Sequence, residues 1–267
     1  MNRAARDKKN QSQRTWNRPQ RKPPRQGFKG FVLTILIAIL LGGAAYGLYD
    51  YVDRSAYFAV KTIRVVGADT VTPEKVVETA GITTADSLLL LDTQQIRERV
   101  EALPYVKTCS VSRIFPDMVV VNVQERIPIA TVMAHGHPYE IDEECFVLRR
   151  LDIRDEYPGP FITELPGLDN VEPGQQLNIA ALRDALLVLS SFAYIGMSSE
   201  VSIAELAAPS ENDIRMYTNE LPYEIRWGRG DIVHEAERLD ILWATKQGQL
   251  DCTEYLDLRF GMDLACR

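Results

Sequence analysis

Between Lys29 and Asp50 the chain holds twenty residues without a charge, GFVLTILIAILLGGAAYGLY. At about 1.5 Å per helical residue this run covers roughly 30 Å, one hydrocarbon thickness, and predicts a transmembrane helix over 30–49. Phe31 at one end and Tyr46, Tyr49 and Tyr51 at the other fall where interfacial aromatics are favoured. From Tyr57 the pattern changes to alternation: YFAVKTIRVVG reads as a strand ending at Gly67. Thr72-Pro73-Glu74 then starts a helix with a capping oxygen and a proline at its first position. Val76, Val77 and Ala80 face inward on it, and Gly81 stops it. Asp92 opens a second helix with Gln95 in capping-box register, an apolar stripe of Ile96, Val100 and Leu103, and Pro104 as terminator. Leu103–Ala130 gives two alternating strands joined at Ile114-Phe115-Pro116-Asp117 and leaving through Glu125-Arg126-Ile127-Pro128. The elements over 57–127 thus run β-α-α-β-β, a sheet with helices on one face.

After Pro128 the runs are shorter. Strands are expected at Ile129–Ala134, Pro138–Ile141 and Cys145–Arg149, followed by turn-rich sequence through Pro173-Gly174. Asn178 can cap a helix carrying Leu182, Ala185, Leu186, Leu189 and Phe192 at helical spacing, closed by Gly196. Further strands are expected at Val201–Leu206, Asp213–Tyr217 and Pro222–Trp227, and Asp231 caps a helix from Ile232 to about Lys246 with Leu239, Leu242 and Trp243 on its apolar side. The chain finishes in TEYLDLRFGMDLACR, which reads as the final strand or strands. The fold class is α+β: one transmembrane helix, a β-α-α-β-β domain over 57–127, and a larger antiparallel β domain with two helices over 128–267.

Charge sharpens the topology. Residues 1–30 hold ten Lys/Arg against the single acid Asp7, a net of +9; with -7 overall, the remainder carries -16. Residues 1–29 have few apolar side chains and three prolines, the composition of a disordered tail. Positive charge before the span predicts a cytoplasmic N-terminus and a body outside the cytoplasm. A cleaved signal peptide is the competing reading, since Phe31–Leu41 is the most apolar stretch and Gly43/Ala45 are small, but a charged region of about thirty residues is long for one. Nucleic-acid binding by the tail is disfavoured because its charges adjoin the membrane, where topology and anionic lipid account for them.

Catalytic signatures are missing from the sequence: no Walker loop, no G-x-S-x-G, no H-E-x-x-H and no dinucleotide glycine fingerprint. His135 and His137 flank Gly136 and could share a metal, though a solvated turn is the simpler reading; His234 sits in the acidic first turn of a helix. The acid runs Asp142-Glu143-Glu144 and Asp155-Glu156 fall in turn-like sequence. Arg229-Gly230-Asp231 spells an adhesion tripeptide, but Asp231 has a better role as a helix cap. The sequence points to no cofactor, metal or small-molecule substrate. Four cysteines, Cys109, Cys145, Cys252 and Cys266, show no zinc spacing and allow three disulfide pairings; Cys252 and Cys266 are the nearest pair, with buried free thiols the alternative. What remains is sheet edge. The terminal run alternates Tyr255, Asp257 and Arg259 with Leu256, Leu258 and Phe260, and an exposed edge there would suit strand addition by a partner; an interior strand with no partner is the other reading.

These residues resemble the FtsQ/DivIB family of bacterial cell-division proteins. Tyr57-Phe58-x-Val60-x-x-Ile63-x-Val65-x-Gly67, Leu103-Pro104-x-Val106, Arg113-x-Phe115-Pro116-Asp117 and Glu125-Arg126-x-Pro128-x-Ala130 are similar to that family's POTRA module and its exit. Ile141-Asp142, Leu165-Pro166-Gly167-Leu168, Trp227-Gly228 and Tyr255–Phe260 resemble landmarks of its β domain. Cys145 stands where the family often has glycine, and Phe115 where it usually has tryptophan. The resemblance implies a non-enzymatic scaffold in the inner membrane, enriched at the septum, that links early and late division proteins and couples to septal peptidoglycan synthesis. It implies binding to FtsB/DivIC-like and FtsL-like bitopic proteins, the former adding a strand along Tyr255, Leu256, Asp257, Leu258, Arg259 and Phe260, and contacts of the POTRA module with other division proteins. Two other classes compete: a POTRA-type component of translocation or outer-membrane assembly, for which no series of barrel strands follows, and an envelope enzyme using a carboxylate pair.

Overall fold

A computed structural model describes residues 27–53, 57–168, 170–228, 230–260 and 265–267. Helix α1 covers Gly27–Asp53, beginning three residues before and ending four residues after the expected span, and its stretch Gly30–Tyr51 is long and apolar enough to cross a membrane. Residues 1–26 of the expected basic tail lie outside the described residues.

The body, taken by itself, begins with a three-stranded sheet in the order β1 (Thr62–Val66), β3 (Met118–Glu125), β2 (Val106–Ile114). Central β3 pairs parallel with β1 and antiparallel with β2. Helices α2 (Pro73–Ala80) and α3 (Thr93–Glu101) bury Val76, Ala80, Ile96 and Val100 against Val119, Val121 and Val123. Their caps form as the sequence predicts at Thr72 and Asp92, each accepting backbone N–H groups of the first turn. Gln95 does not close a capping box; its side chain accepts instead from Arg99 Nη2 at 2.8 Å. The first strand is shorter than its alternation suggests. Val60 leaves the ladder to donate to the Asp86 carbonyl at 3.0 Å and is fully buried there. Gly67 ends β1 at φ +78, where a Cβ would stand 2.2 Å from the Val123 carbonyl oxygen, so only glycine fits.

The remainder is a nine-stranded sheet, β12-β11-β10-β9-β8-β7-β4-β5-β6. Its strands are β4 (Ala130–Ala134), β5 (His137–Ile141), β6 (Val147–Arg150), β7 (Phe161–Thr163), β8 (Ile203–Ser210), β9 (Asp213–Thr218), β10 (Glu224–Trp227), β11 (Tyr255–Asp257) and β12 (Ala265–Cys266). Helices α4 (Ala180–Ala193) and α5 (Ile232–Thr245) pack on each other, and their apolar sides share one core with Leu206, Met216, Ile225, Trp227 and Leu256. The sheet is mixed rather than wholly antiparallel: β7–β8 and β10–β11 pair parallel, as does β4–β7. The first two follow from connectivity, because each pair is joined through a helix, and a helical crossover returns the chain in the same direction. Strand β7 lies within what reads as turn-rich sequence. Asn178 does not cap α4; Ile179 holds that position, and Asn178 Oδ1 accepts from Arg183 Nη1 at 2.5 Å.

Candidate functional site

The nine-stranded sheet has two ends. At one, β6 is screened by its own chain: Val147 N–H donates to Gln175, Gly174 N–H to Val147 and Leu177 N–H to Cys145, each at 2.8 Å. At the other end lies the terminal segment. β11 pairs with β10 through Glu224↔Tyr255, Ile225↔Leu256 and Arg226↔Asp257. Among the described residues its outer side carries the two-residue β12, through Leu256↔Cys266 and Asp257↔Ala265, and Arg267, whose N–H donates to the Tyr255 carbonyl at 3.1 Å. A Cys252–Cys266 disulfide tethers β12, and the Arg267 carbonyl accepts from Thr253 N–H and Glu254 N–H at 2.7 and 2.6 Å. β12 was not separated from the rest of the terminus in the sequence; the paired cysteines were its only signal.

Each residue of Tyr255–Phe260 has a distinct environment. Leu256 and Leu258 are buried in the core, and Leu258 N–H continues the ladder to the Arg226 carbonyl at 3.0 Å. Phe260 does not join them: it is 52% exposed. The expected six-residue strand stops at Asp257 because its carboxylate accepts the Arg259 backbone N–H at 3.0 Å, an Asx-type turn. The same carboxylate takes Arg259 Nε at 2.9 Å and Nη2 at 2.7 Å, a two-pronged fork. Tyr255 lies under the Arg226 guanidinium, 4.0 Å from its ring centre.

The polar face of the sheet continues this chemistry across strands. Arg259 Nη1 reaches Asp213 at 3.0 Å, Asp213 accepts from Arg215 Nη2 at 2.7 Å, and Arg226 Nε donates to Glu224 at 2.6 Å. Tyr217 hydroxyl donates to Glu224 at 2.7 Å. Burial by itself would raise the Asp257 carboxyl, but the hydrogen bonds and charge of Arg259 outweigh it and hold the group below the usual carboxylate range. Asp213 is lowered chiefly by its hydrogen bond from Arg215. Burial, then the bond to Glu224, pushes the Tyr217 hydroxyl up to about 12. The face is therefore internally paired, with Asp257 and Asp213 held as carboxylates and the Tyr217 hydroxyl kept protonated at neutral pH. Only the alternation in DIRMYT and EIRW hinted at it, and those runs were read as strands without a role.

A second polar cluster joins the two sheets. Arg126 Nη1 donates to Asp142 Oδ2 at 2.6 Å and to Glu144 Oε2 at 2.9 Å, with its guanidinium 4.0 Å over the Phe146 ring. Lys107 Nζ bridges Glu143 and Glu144, both at 3.0 Å. Tyr105 hydroxyl donates to the buried Glu140 carboxylate, which also accepts from Arg149 Nε at 3.1 Å. Burial and then the Glu140 bond raise the Tyr105 pKa, keeping it protonated. Two residues of the exit motif thereby gain roles: Arg126 holds the junction, and Glu125 accepts the N–H groups of Asp69, Thr70 and Val71 at 3.2, 2.8 and 2.8 Å.

The other sequence candidates resolve locally. His135 and Gly136 both have positive φ, 49 and 76, and form the two-residue turn between β4 and β5. No group of three or more His, Cys, Asp or Glu with metal-holding geometry occurs among the described residues. Asp231 caps α5 by accepting from Val233 N–H and His234 N–H at 3.0 and 3.4 Å, while Arg229 lies outside the described residues. Cys109 and Cys145 are buried thiols, and burial pushes Cys109 up to about 11.

With one helix long and apolar enough to cross a membrane among the described residues, a β-α-α-β-β module and a mixed sheet domain, the chain has the architecture of a POTRA-bearing protein. The family described as POTRA domain, FtsQ-type, matches residues 58–126. The chain is similar to cell division protein FtsQ of Geotalea daltonii, 24% identical over 221 residues covering 83% of this chain and 80% of the relative. The same-named protein of Geobacter sp. M21 is 25% identical over 223 residues, covering 83% and 80%. That of Anaeromyxobacter sp. K is 28% identical over 225 residues, covering 84% and 76%. The likeness to proteins named cell division protein FtsQ thus runs well past the FtsQ-type POTRA match into the larger domain.

Proposed function

We propose that this chain is a non-catalytic scaffold of the bacterial division machinery. In this reading its N-terminus is cytoplasmic, its body lies outside the cytoplasm, and it concentrates at the septum. It links early and late division proteins and couples to septal peptidoglycan synthesis. The observation that carries the division role is that likeness to relatives named cell division protein FtsQ extends over 83% of the chain, far past the POTRA match at 58–126. A translocation component would share the POTRA module and then diverge into barrel strands.

Within that role, the terminal segment is the candidate partner site. An FtsB/DivIC-like bitopic protein adds a strand along Tyr255–Phe260, with an FtsL-like protein in the same complex. Three observations support this reading: among the described residues β11 has on its outer side the short β12 and Arg267, Phe260 is exposed, and the far end of the sheet is screened. We further propose a functional division at about residue 127, the POTRA domain (57–127) serving other division proteins and the β domain (128–267) holding the bitopic partner. Imaging a fluorescent fusion in dividing cells tests the division role. Midcell enrichment is expected; uniform envelope signal throughout the cycle contradicts it.

A further inference from the structure

The hairpin tip of the POTRA sheet gathers that domain's exposed apolar surface. Of its large apolar side chains that are exposed among the described residues, Tyr57 (66%), Leu90 (40%), Ile114 (48%) and Phe115 (56%) lie at the tip, and Val66 and the exit residue Ile127 lie elsewhere. Contacts bring them together from three segments. Phe58 meets Tyr57 edge-on at 5.0 Å and Phe115 edge-on at 6.4 Å between ring centres. The Phe58 carbonyl accepts from Leu88 N–H at 2.8 Å, and Arg113 Nη2 donates to the Leu91 carbonyl at 2.5 Å. The tip is remote from the junction with the larger sheet, because β2 carries the chain about 27 Å from Val106 to Ile114 at ~3.4 Å per residue.

Covalent connection limits what this surface can meet. Tyr57 follows the last residue of α1, Asp53, by four positions, which extend at most about 14 Å. Charge does not direct the tip elsewhere: Lys61 pairs with Asp117 at 2.9 Å, and Arg113 and Asp86 balance. A neutral, aromatic-rich surface held this close to a membrane span has the composition favoured at the lipid headgroup layer. We propose that the Tyr57–Leu90–Ile114–Phe115 tip dips into the bilayer interface and is a second, shallow membrane contact that sets the POTRA domain's orientation over the membrane. The proposal rests on α1 spanning the bilayer.

Spin labelling of the full chain in vesicles tests it. Labels at Phe115→Cys and, separately, at Ile114→Cys are compared with one at Tyr194→Cys, a fully exposed control on the larger domain. Wild-type protein establishes that buried Cys109 and Cys145 take no label. The two tip labels are expected to show several-fold higher collision with oxygen relative to an aqueous nickel chelate than the control. The ratio is expected to be the same in phosphatidylcholine vesicles with or without phosphatidylglycerol, and unchanged on diluting protein in lipid. Tip labels as water-accessible as the control overturn the proposal. Protection that needs phosphatidylglycerol overturns it in favour of charge attraction, and protection lost on dilution overturns it in favour of a second copy of the chain. A chain that fails to float with vesicles fails the spanning helix itself, a separate outcome from a tip that stays in water.

Discussion

Arg126 donates to Asp142 at 2.6 Å, and this contact ties the last strand of the POTRA sheet to the first hairpin of the larger one. Asp142 is almost wholly buried and also accepts the backbone N–H groups of Glu144 and Phe146 at 2.9 and 2.8 Å. Removing the guanidinium leaves a buried carboxylate without its cation, so Arg126→Ala is expected to cost about 3 kcal/mol. Arg126→Lys recovers little, because one ammonium cannot contact Asp142 and Glu144 while lying flat on Phe146. Chemical denaturation midpoints measure both; a wild-type midpoint for Arg126→Ala contradicts the role.

Acid is expected to loosen the terminal segment. Asp257 and Asp213 have folded pKa values below their unfolded ones, so their contribution is present above the unfolded value, about 4. It is lost as pH falls through the lowered folded values. Stability should therefore hold from neutrality down to about pH 4 and decline below it, and Asp257→Asn should flatten that decline. At the alkaline end the sign reverses: Tyr217, raised to about 12, stabilises below its unfolded value near 10 and loses that contribution as pH climbs between them. Thermal unfolding followed across pH reads both limbs.

Cys252 and Cys266 are joined across a separation of 14 residues, and closing a loop of that size stabilises by about 3 kcal/mol in the chain-entropy account. Cys252→Ser with Cys266→Ser should lower stability by roughly that amount and free β12 from the side of β11. Hydrogen exchange at the Tyr255 amide, which donates to the Arg267 carbonyl at 3.3 Å beside β12, reads the second effect. Unchanged protection would show that β12 is held without the disulfide.

Local rules carried far along this chain. Thr72-Pro73, Asp92 and Asp231 cap helices because short-range donors and acceptors decide helix starts, and Gly67 ends β1 because of a steric contact the residue type announces. Long-range pairing was less legible. Nothing near Phe161–Thr163 signals that β7 inserts between β4 and β8, since its partners are about thirty and forty residues away. The terminal run misled through its alternation: Leu256 and Leu258 go inward as periodicity requires, but the Asp257–Arg259 turn bends the chain before Phe260 can follow. Arg126 and Asp142 were visible as motif residues, yet only folding brings them together.

The terminal segment as partner site is tested most directly by site-specific photo-crosslinking in dividing cells. A photoreactive residue replacing Phe260 is compared with one replacing Tyr194, which is more exposed but distant from β11 in sequence and on another element. The account predicts an adduct with the FtsB/DivIC-type bitopic protein from position 260 and none from 194. Absence of that adduct at 260, in a protein that still supports division, would contradict it.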